Sequence, residues 1–428
     1  MSMKKFAFCI LSLAIFTLTA FAAQNQNELP KNFLNSKHPI HANKAGGVHG
    51  KGNIPTPHGF PAGVDTLVNF TDHFEAQGVF YDGSAHHIWE YSMVGNAPAQ
   101  GKTTTINAPV VPVIIDMRNN DGTPAFATNQ FGQSIRLISL PDPFIQPFMN
   151  GPVFGVSNYS SSPGPTQITD AIQRAEFGKK ARSDWHTLLA GNVKTTQTMV
   201  LTADNFFFAF NDDGSCCLFV LASDPAFEAQ LFPSSTPDNT TVIGAAEVAG
   251  DITTKDISTF MFPNTYLYEN NDPNQCCVLG FHSFDFEAGD ATNNNELRFY
   301  IMNYSSWISP GLFGGGFQDV TAHSHEIAET FNDPFVGFDG IHNIVPFWLN
   351  PAGQCQDLLE VGDVIEDLNN PTYPVTINGF TYHPQTEALL PWFEFQQNST
   401  AINNAYSYPD ETVLTSLSAP QPLDCAGQ

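Results

Sequence analysis

Positive charge is scarce in this sequence: 16 Lys+Arg stand against 42 Asp+Glu in 428 residues, a formal net charge of −26. A chain this negative repels phosphate backbones and anionic lipid headgroups, so nucleic-acid binding is not expected. Charged residues of both signs make up 14% of the chain, so the acidity reflects a shortage of Lys and Arg, a balance that suits an exported protein. Also missing are a G-x-S-x-G elbow, a phosphate-binding Walker loop and a dinucleotide fingerprint. Serine-hydrolase, nucleotide and nicotinamide chemistry therefore have no support. After the N-terminus there is no further apolar run of the ~18 residues needed to cross a bilayer. Internal repeats are absent too. What is present is ample core material, with 42% hydrophobic residues and 37 phenylalanines. The length suits two or three domains, or one large domain with insertions.

The first 22 residues read as a secretory signal peptide. Lys4 and Lys5 precede the apolar stretch Phe6 to Phe21, and Ala20-Phe21-Ala22 has the small-x-small pattern of a cleavage site. Cys9 lies in that stretch without a lipobox, so a lipid anchor is not expected. The mature chain is read as secreted or extracellular, with a periplasmic or cell-surface location as the variant, and with no membrane attachment after cleavage. It would keep Cys216, Cys217, Cys276, Cys277, Cys355 and Cys425. An even number in an oxidising compartment suggests disulfides. The expected pairing links the Cys216-Cys217 doublet to the Cys276-Cys277 doublet, and Cys355 to Cys425. Zinc-thiolate binding is the weaker reading, because neither doublet has C-x2-C spacing.

Residues 23–60 are rich in Asn, Lys, His, Gly and Pro without apolar periodicity, and read as a flexible arm or pro-segment. Residues 61–255 read as a β-rich region with one helix, and 256–428 as a region mixing strands with a motif-bearing helix, an α+β fold overall. Val110 to Ile115 reads as a strand whose Pro112 implies an edge or a bulge. Thr166 to about Leu189 has helical spacing ending at Trp185-His186. Strand-like runs follow at 198–210, 217–222, 276–284 and 297–304, with turns at Asn119–Gly122, Asn211–Gly214 and Asn270–Asn274.

The segment from Phe317 to Phe331 carries the chemistry, in the form His325-Glu326-x-x-Glu329. A helix advances about 100° per residue. With Val320 at the origin, Ile327, Phe331 and Ala328 fall within about 80° of it and form a core stripe. His325, Glu329 and Glu326 fall at about 140°, 180° and 240°, together on the opposite side. His323 falls near the stripe and is not expected to be a ligand. In the H-E-x-x-H pattern, two residues four apart bind zinc, and the glutamate after the first acts as general base on the water that the metal binds. Here Glu329 replaces the second histidine. Carboxylate is an acceptable zinc ligand, although a harder ligand set also suits other divalent ions. Asn332-Asp333-Pro334 ends the helix abruptly. A second acidic cluster, Asp357 to Asp363, offers a third ligand: Glu360 first, Asp363 second, with Asp333 third because Pro334 pushes it from helical dihedrals.

Four stretches carry a resemblance. They are Cys277 to His282, Phe299 to Ser305, Gly315 to Pro334 with its H-E-x-x-E-x-x-x-D-P core, and Glu360-Val361-Gly362-Asp363. Together they resemble the phosphate-induced, EXORDIUM-like secreted proteins and bacterial exported relatives, over about residues 270–370. Thr166-Gln167-x-x-Asp170-Ala171-x-x-Arg174 resembles a recurrent pattern of the bacterial group. The resemblance implies a secreted protein with a zincin-like helix. Cys355 departs from it by preceding the acidic cluster, where many relatives place a cysteine after it.

Other side chains carry less. His86-His87 with Trp89 and Glu90 would alternate faces on a strand. His282 reads as an interior, hydrogen-bonded residue or as a donor near the site. The leading reading is a secreted, metal-dependent peptidase, with zinc or another divalent ion on His325, Glu329 and an acidic third partner, and Glu326 as base. Its substrate would be an extracellular peptide or protein paired along the Arg298 to Tyr304 strand. The alternative is a non-catalytic extracellular or cell-wall-associated protein with a structural or vestigial metal site. A third reading, a carbohydrate-active protein, rests on Trp392, Phe393 and Phe395 as sugar-stacking residues or as core.

Overall fold

The computed structural model describes residues 27–417, apart from 31, 41–63, 78–85, 130, 211–217, 235–236, 315, 337–347 and 357–358. The expected signal peptide, Cys216, Cys217, Cys425 and Asp357 lie outside the described residues, as do the side chains of His86, His87, Trp89 and Glu90. The fold is α+β, built on a mixed sheet of nine strands. Three long strands run parallel at its centre: Thr103–Arg118, Ile257–Pro263 and Leu297–Phe313. Strands from both sides of residue 255 thus share one sheet, and one apolar cluster runs from Leu67 to Leu414. Ile257–Pro263 is buried along its whole length, which is why it reads as a continuous apolar run instead of an alternation. A four-stranded sheet of Phe206–Phe210, Leu218–Ser223, Thr265–Tyr268 and Cys276–Val278 joins it.

Several local expectations change in this context. Pro112 lies in an interior strand, not at an edge. Its neighbour on one side changes there: His186–Val193 pairs with residues 103–110 and Gln197–Thr202 with 113–118, so Pro112 falls in the gap. The Arg298 to Tyr304 segment is also interior. Gly280–Glu287 pairs along one side of residues 298–305, while Val64–Asp65 and Ile257–Pro263 take the other, so no peptide can add to it. Gly280–Glu287 is the outer strand and, among the described residues, pairs only with Leu297–Phe313. Among the described residues between 61 and 255, four α-helices are found where one was expected. Two of them, Asp142–Met149 and Asp224–Leu231, are eight-residue helices opened by Asp-Pro, too short for a clear period but marked by proline in the first turn. Trp392, Phe393 and Phe395 are buried, so they serve the core.

Residues 27–30 and 32–40, part of the segment 23–60 expected to be a flexible arm or pro-segment, lie against the protein. Leu29 N–H bonds to the Phe208 carbonyl, and Leu34 is buried in a cluster with Phe219 and Tyr266. Isolated leucines anchored without periodicity escape a pattern search. Cys276 and Cys277 are bonded to one another, so the expected link between doublets is not formed there. Cys355 is disulfide-bonded.

The helix expected to reach Leu189 spans Ile168–Phe177 and ends at Gly178, whose φ of +49° suits the residue without a side chain. His186 instead begins a strand. This helix works as a polar clamp. Gln167 bonds to both the N–H and the carbonyl of Leu189, and Arg174 donates to the carbonyls of Ser161, Arg182 and Trp185. Asp170, buried, accepts from Thr166 Oγ1 at 2.6 Å and from the Thr187 N–H at 2.8 Å, and meets His186 Nδ1 at 2.8 Å. Asp170→Ala strands these donors in the interior. It is expected to cost roughly 3 kcal/mol, read from urea unfolding midpoints. A cost below about 1 kcal/mol would show that the clamp is dispensable.

Candidate metal centre

The motif helix spans Thr321–Asn332 and is buried along every face. Val320, Ile327, Ala328 and Phe331 join the large apolar cluster. His323 stacks on Phe148 with ring centroids 4.1 Å apart, and burial pushes its pKa down to about 3. It lies in the core and not among the ligating groups. His325, Glu326 and Glu329 face a pocket that Glu360, Asp363 and Glu366 also line. The helix stops at Asn332, because Asp333 before Pro334 takes φ −143° and ψ 69°.

His325 Nε2 lies 3.1 Å from Glu329 Oε1 and 3.3 Å from Asp363 Oδ1. The ligating atoms of these three residues fall within 4.8 Å of one another, close enough for one cation. Glu360 groups instead with His282 and Asp333. His282 Nδ1 is 3.4 Å from Glu329 Oε2 and 3.8 Å from Glu360 Oε2. Its Nε2 meets the Asp333 carbonyl at 3.1 Å, an N–H donation that leaves the lone pair of Nδ1 aimed at the carboxylates. His282 is the site residue that sequence spacing does not reveal. It stands on the outer strand, 43 positions before His325, and only the sheet brings it to the helix.

The Glu360-Val-Gly-Asp363 segment has a clear physical role. The N–H groups of Gly362 and Asp363 donate to Glu329 Oε1 at 3.1 and 3.3 Å. Gln385 Nε2 holds the Gly362 carbonyl at 2.7 Å. A Cβ on Gly362 would meet His325 Nδ1 at 2.5 Å, and one on Gly280 would meet Glu326 Oε1 at 2.5 Å. Both glycines let backbone approach a side chain of the motif closely.

Electrostatics set these groups apart. Burial acts to lower His325, but Glu329 and Glu326 outweigh it and hold its pKa well above the imidazole range. Burial acts to raise Glu329, yet His325 and His282 hold it below the usual carboxylate range. Glu326, next along the helix, is pushed well above that range by burial, and its Oε2 has no hydrogen-bond partner. Glu387, also fully buried nearby, is pushed up for the same reason. A bound cation would take the place of the proton that the carboxylates hold on His325. The donor set of imidazoles and carboxylates, with a Glu326 oxygen that makes no hydrogen bond, could hold a metal ion.

A separate acidic grouping joins Glu247 to Asp285 and Glu287 on the outer strand. Burial, then the neighbouring carboxylates, pushes Glu247 up to about 9, and burial also raises Asp285. Raised folded-state values mean that the folded protein holds protons the unfolded chain releases. That stabilisation is complete at and below the ordinary carboxylate range and is lost as pH rises toward about 9. Glu247→Gln is expected to raise the thermal midpoint near pH 9 and change it little near about pH 5. An equal fall at both pH values would contradict this account. In the pocket, Gly362→Ala should displace His325 and weaken metal binding by about 10–100-fold by calorimetric titration. Unchanged affinity would show that the contact yields without moving the ring.

No protein-family model, curated protein or solved structure matches the chain.

Proposed function

We propose that the protein is a secreted, metal-dependent hydrolase of zincin-like type acting on peptides. The observation that carries this reading is Glu326, a buried carboxylate whose Oε2 makes no hydrogen bond, beside His325 and Glu329 in a pocket that they line together. His325, Glu329 and Asp363 would hold the ion, with His282 and Glu360 completing the wall. The ion supplies Lewis-acid chemistry when bound, polarising a carbonyl and easing ionisation of water. Glu326 takes the proton of the attacking water and returns it to the leaving amine. Its carboxylate lines the pocket beside His325 and Glu329, where it is placed to do both. His282, held by the Asp333 carbonyl, keeps Glu329 oriented.

A peptide substrate is supported by the rim. Pro39 and Ile40 of the arm line the pocket, and the Ile40 N–H donates to the Cys277 carbonyl at 3.0 Å. An extended chain therefore finds a backbone partner at the entrance, just before the outer strand Gly280–Glu287. Export rests on the leader and on the disulfides. Among the described residues no helix is long and apolar enough to cross a membrane.

Glu326→Gln keeps size and helix while removing the base. It is expected to retain metal and thermal midpoint and to lower hydrolysis of a peptide library by about 10²–10⁴-fold. Hydrolysis at the wild-type rate would rule the mechanism out. Absence of turnover in wild type, with a thermal midpoint that falls on chelation, would favour the structural-metal protein.

A further inference from the structure

We propose that the pocket holds two divalent cations, with Glu329 bridging them; this rests on reading the pocket as a metal centre. Two ligand triads that share no residue stand side by side. One is His325, Glu329 and Asp363; the other is His282, Asp333 and Glu360, each with ligating atoms within 4.8 Å. A single-ion site needs one such triad.

Glu329 joins them. Its two oxygens face different histidines, Oε1 toward His325 Nε2 at 3.1 Å and Oε2 toward His282 Nδ1 at 3.4 Å. That is the arrangement of a carboxylate whose oxygens each serve one ion of a pair, spaced about 3.5–4 Å apart in two-metal sites. His282 is prepared for the role, because its Nε2 is committed to the Asp333 carbonyl and its Nδ1 looks into the pocket. Glu326 also lies within reach of the second ion, since Glu326, His282 and Glu329 form a further triad that overlaps both positions.

Charge points the same way. Five carboxylates line the pocket, from Glu326, Glu329, Glu360, Asp363 and Glu366, and among the described residues no Lys or Arg lines it. Oxygen-rich coordination of this kind suits manganese or zinc pairs better than a lone thiophilic ion.

The test is metal stoichiometry on the full secreted chain, stripped with chelator and titrated with zinc and, separately, with manganese. Two ions per chain are expected in the wild type, and one each in folded His282→Ala and His325→Ala. Manganese resonance of the wild type needs no variant and should show a spin-coupled pair. One ion per chain would overturn the proposal and leave the hydrolase reading standing. Two ions with an uncoupled spectrum would also overturn it, placing the second ion elsewhere, for example at Glu247, Asp285 and Glu287. No bound ion at all would overturn both.

Discussion

Everything in this site depends on the placement of one carboxylate. Glu329 lies between two imidazoles and beneath two backbone N–H groups, so its position ties together three elements far apart in the chain. The motif helix supplies Glu329 and His325, the outer strand supplies His282, and the 360–363 segment supplies the amides. Buried carboxylates repel one another strongly in a medium of low dielectric, and hydrogen bonds to charged groups are the means of holding them. The geometry of the pocket follows from meeting that condition at Glu329 first and arranging the other carboxylates around it.

The support extends outward in the same currency of satisfied polar groups. Ser324 Oγ accepts from the Gln385 N–H, whose side chain in turn holds the Gly362 carbonyl. Asn332, at the end of the motif helix, donates to Glu176 of the clamp helix at 3.0 Å. The clamp helix fixes Leu189, Trp185 and Thr187 through Gln167, Arg174 and Asp170. The clamp helix can be buried along its length because Gln167, Asp170 and Arg174 each meet a polar partner.

Much of this was legible in the residues. The 100° geometry placed Val320, Ile327, Ala328 and Phe331 on one side and the chemistry on the other, and it set His323 with the core. The later acidic segment was legible as a source of ligands, though not its grouping, which joins Asp363 to His325 and Glu360 to His282. Strand order was beyond reach. Leu297–Phe313 and Thr103–Arg118 look like any apolar strand in sequence, and their interior positions come from partners more than a hundred residues away in some cases. The docked arm and the short Asp-Pro helices carried too few apolar residues to produce a period.

Local periodicity is intrinsic to a helix, so the sequence alone determined that His325, Glu326 and Glu329 share a face and that an abrupt stop follows them. Contacts across a sheet depend on which strands pair and in which register, and no local pattern encodes that choice. Only the tertiary structure therefore brought His282 to the helix, turned the expected substrate strand into an interior one, and gathered the carboxylates around a single pocket that could hold a cation.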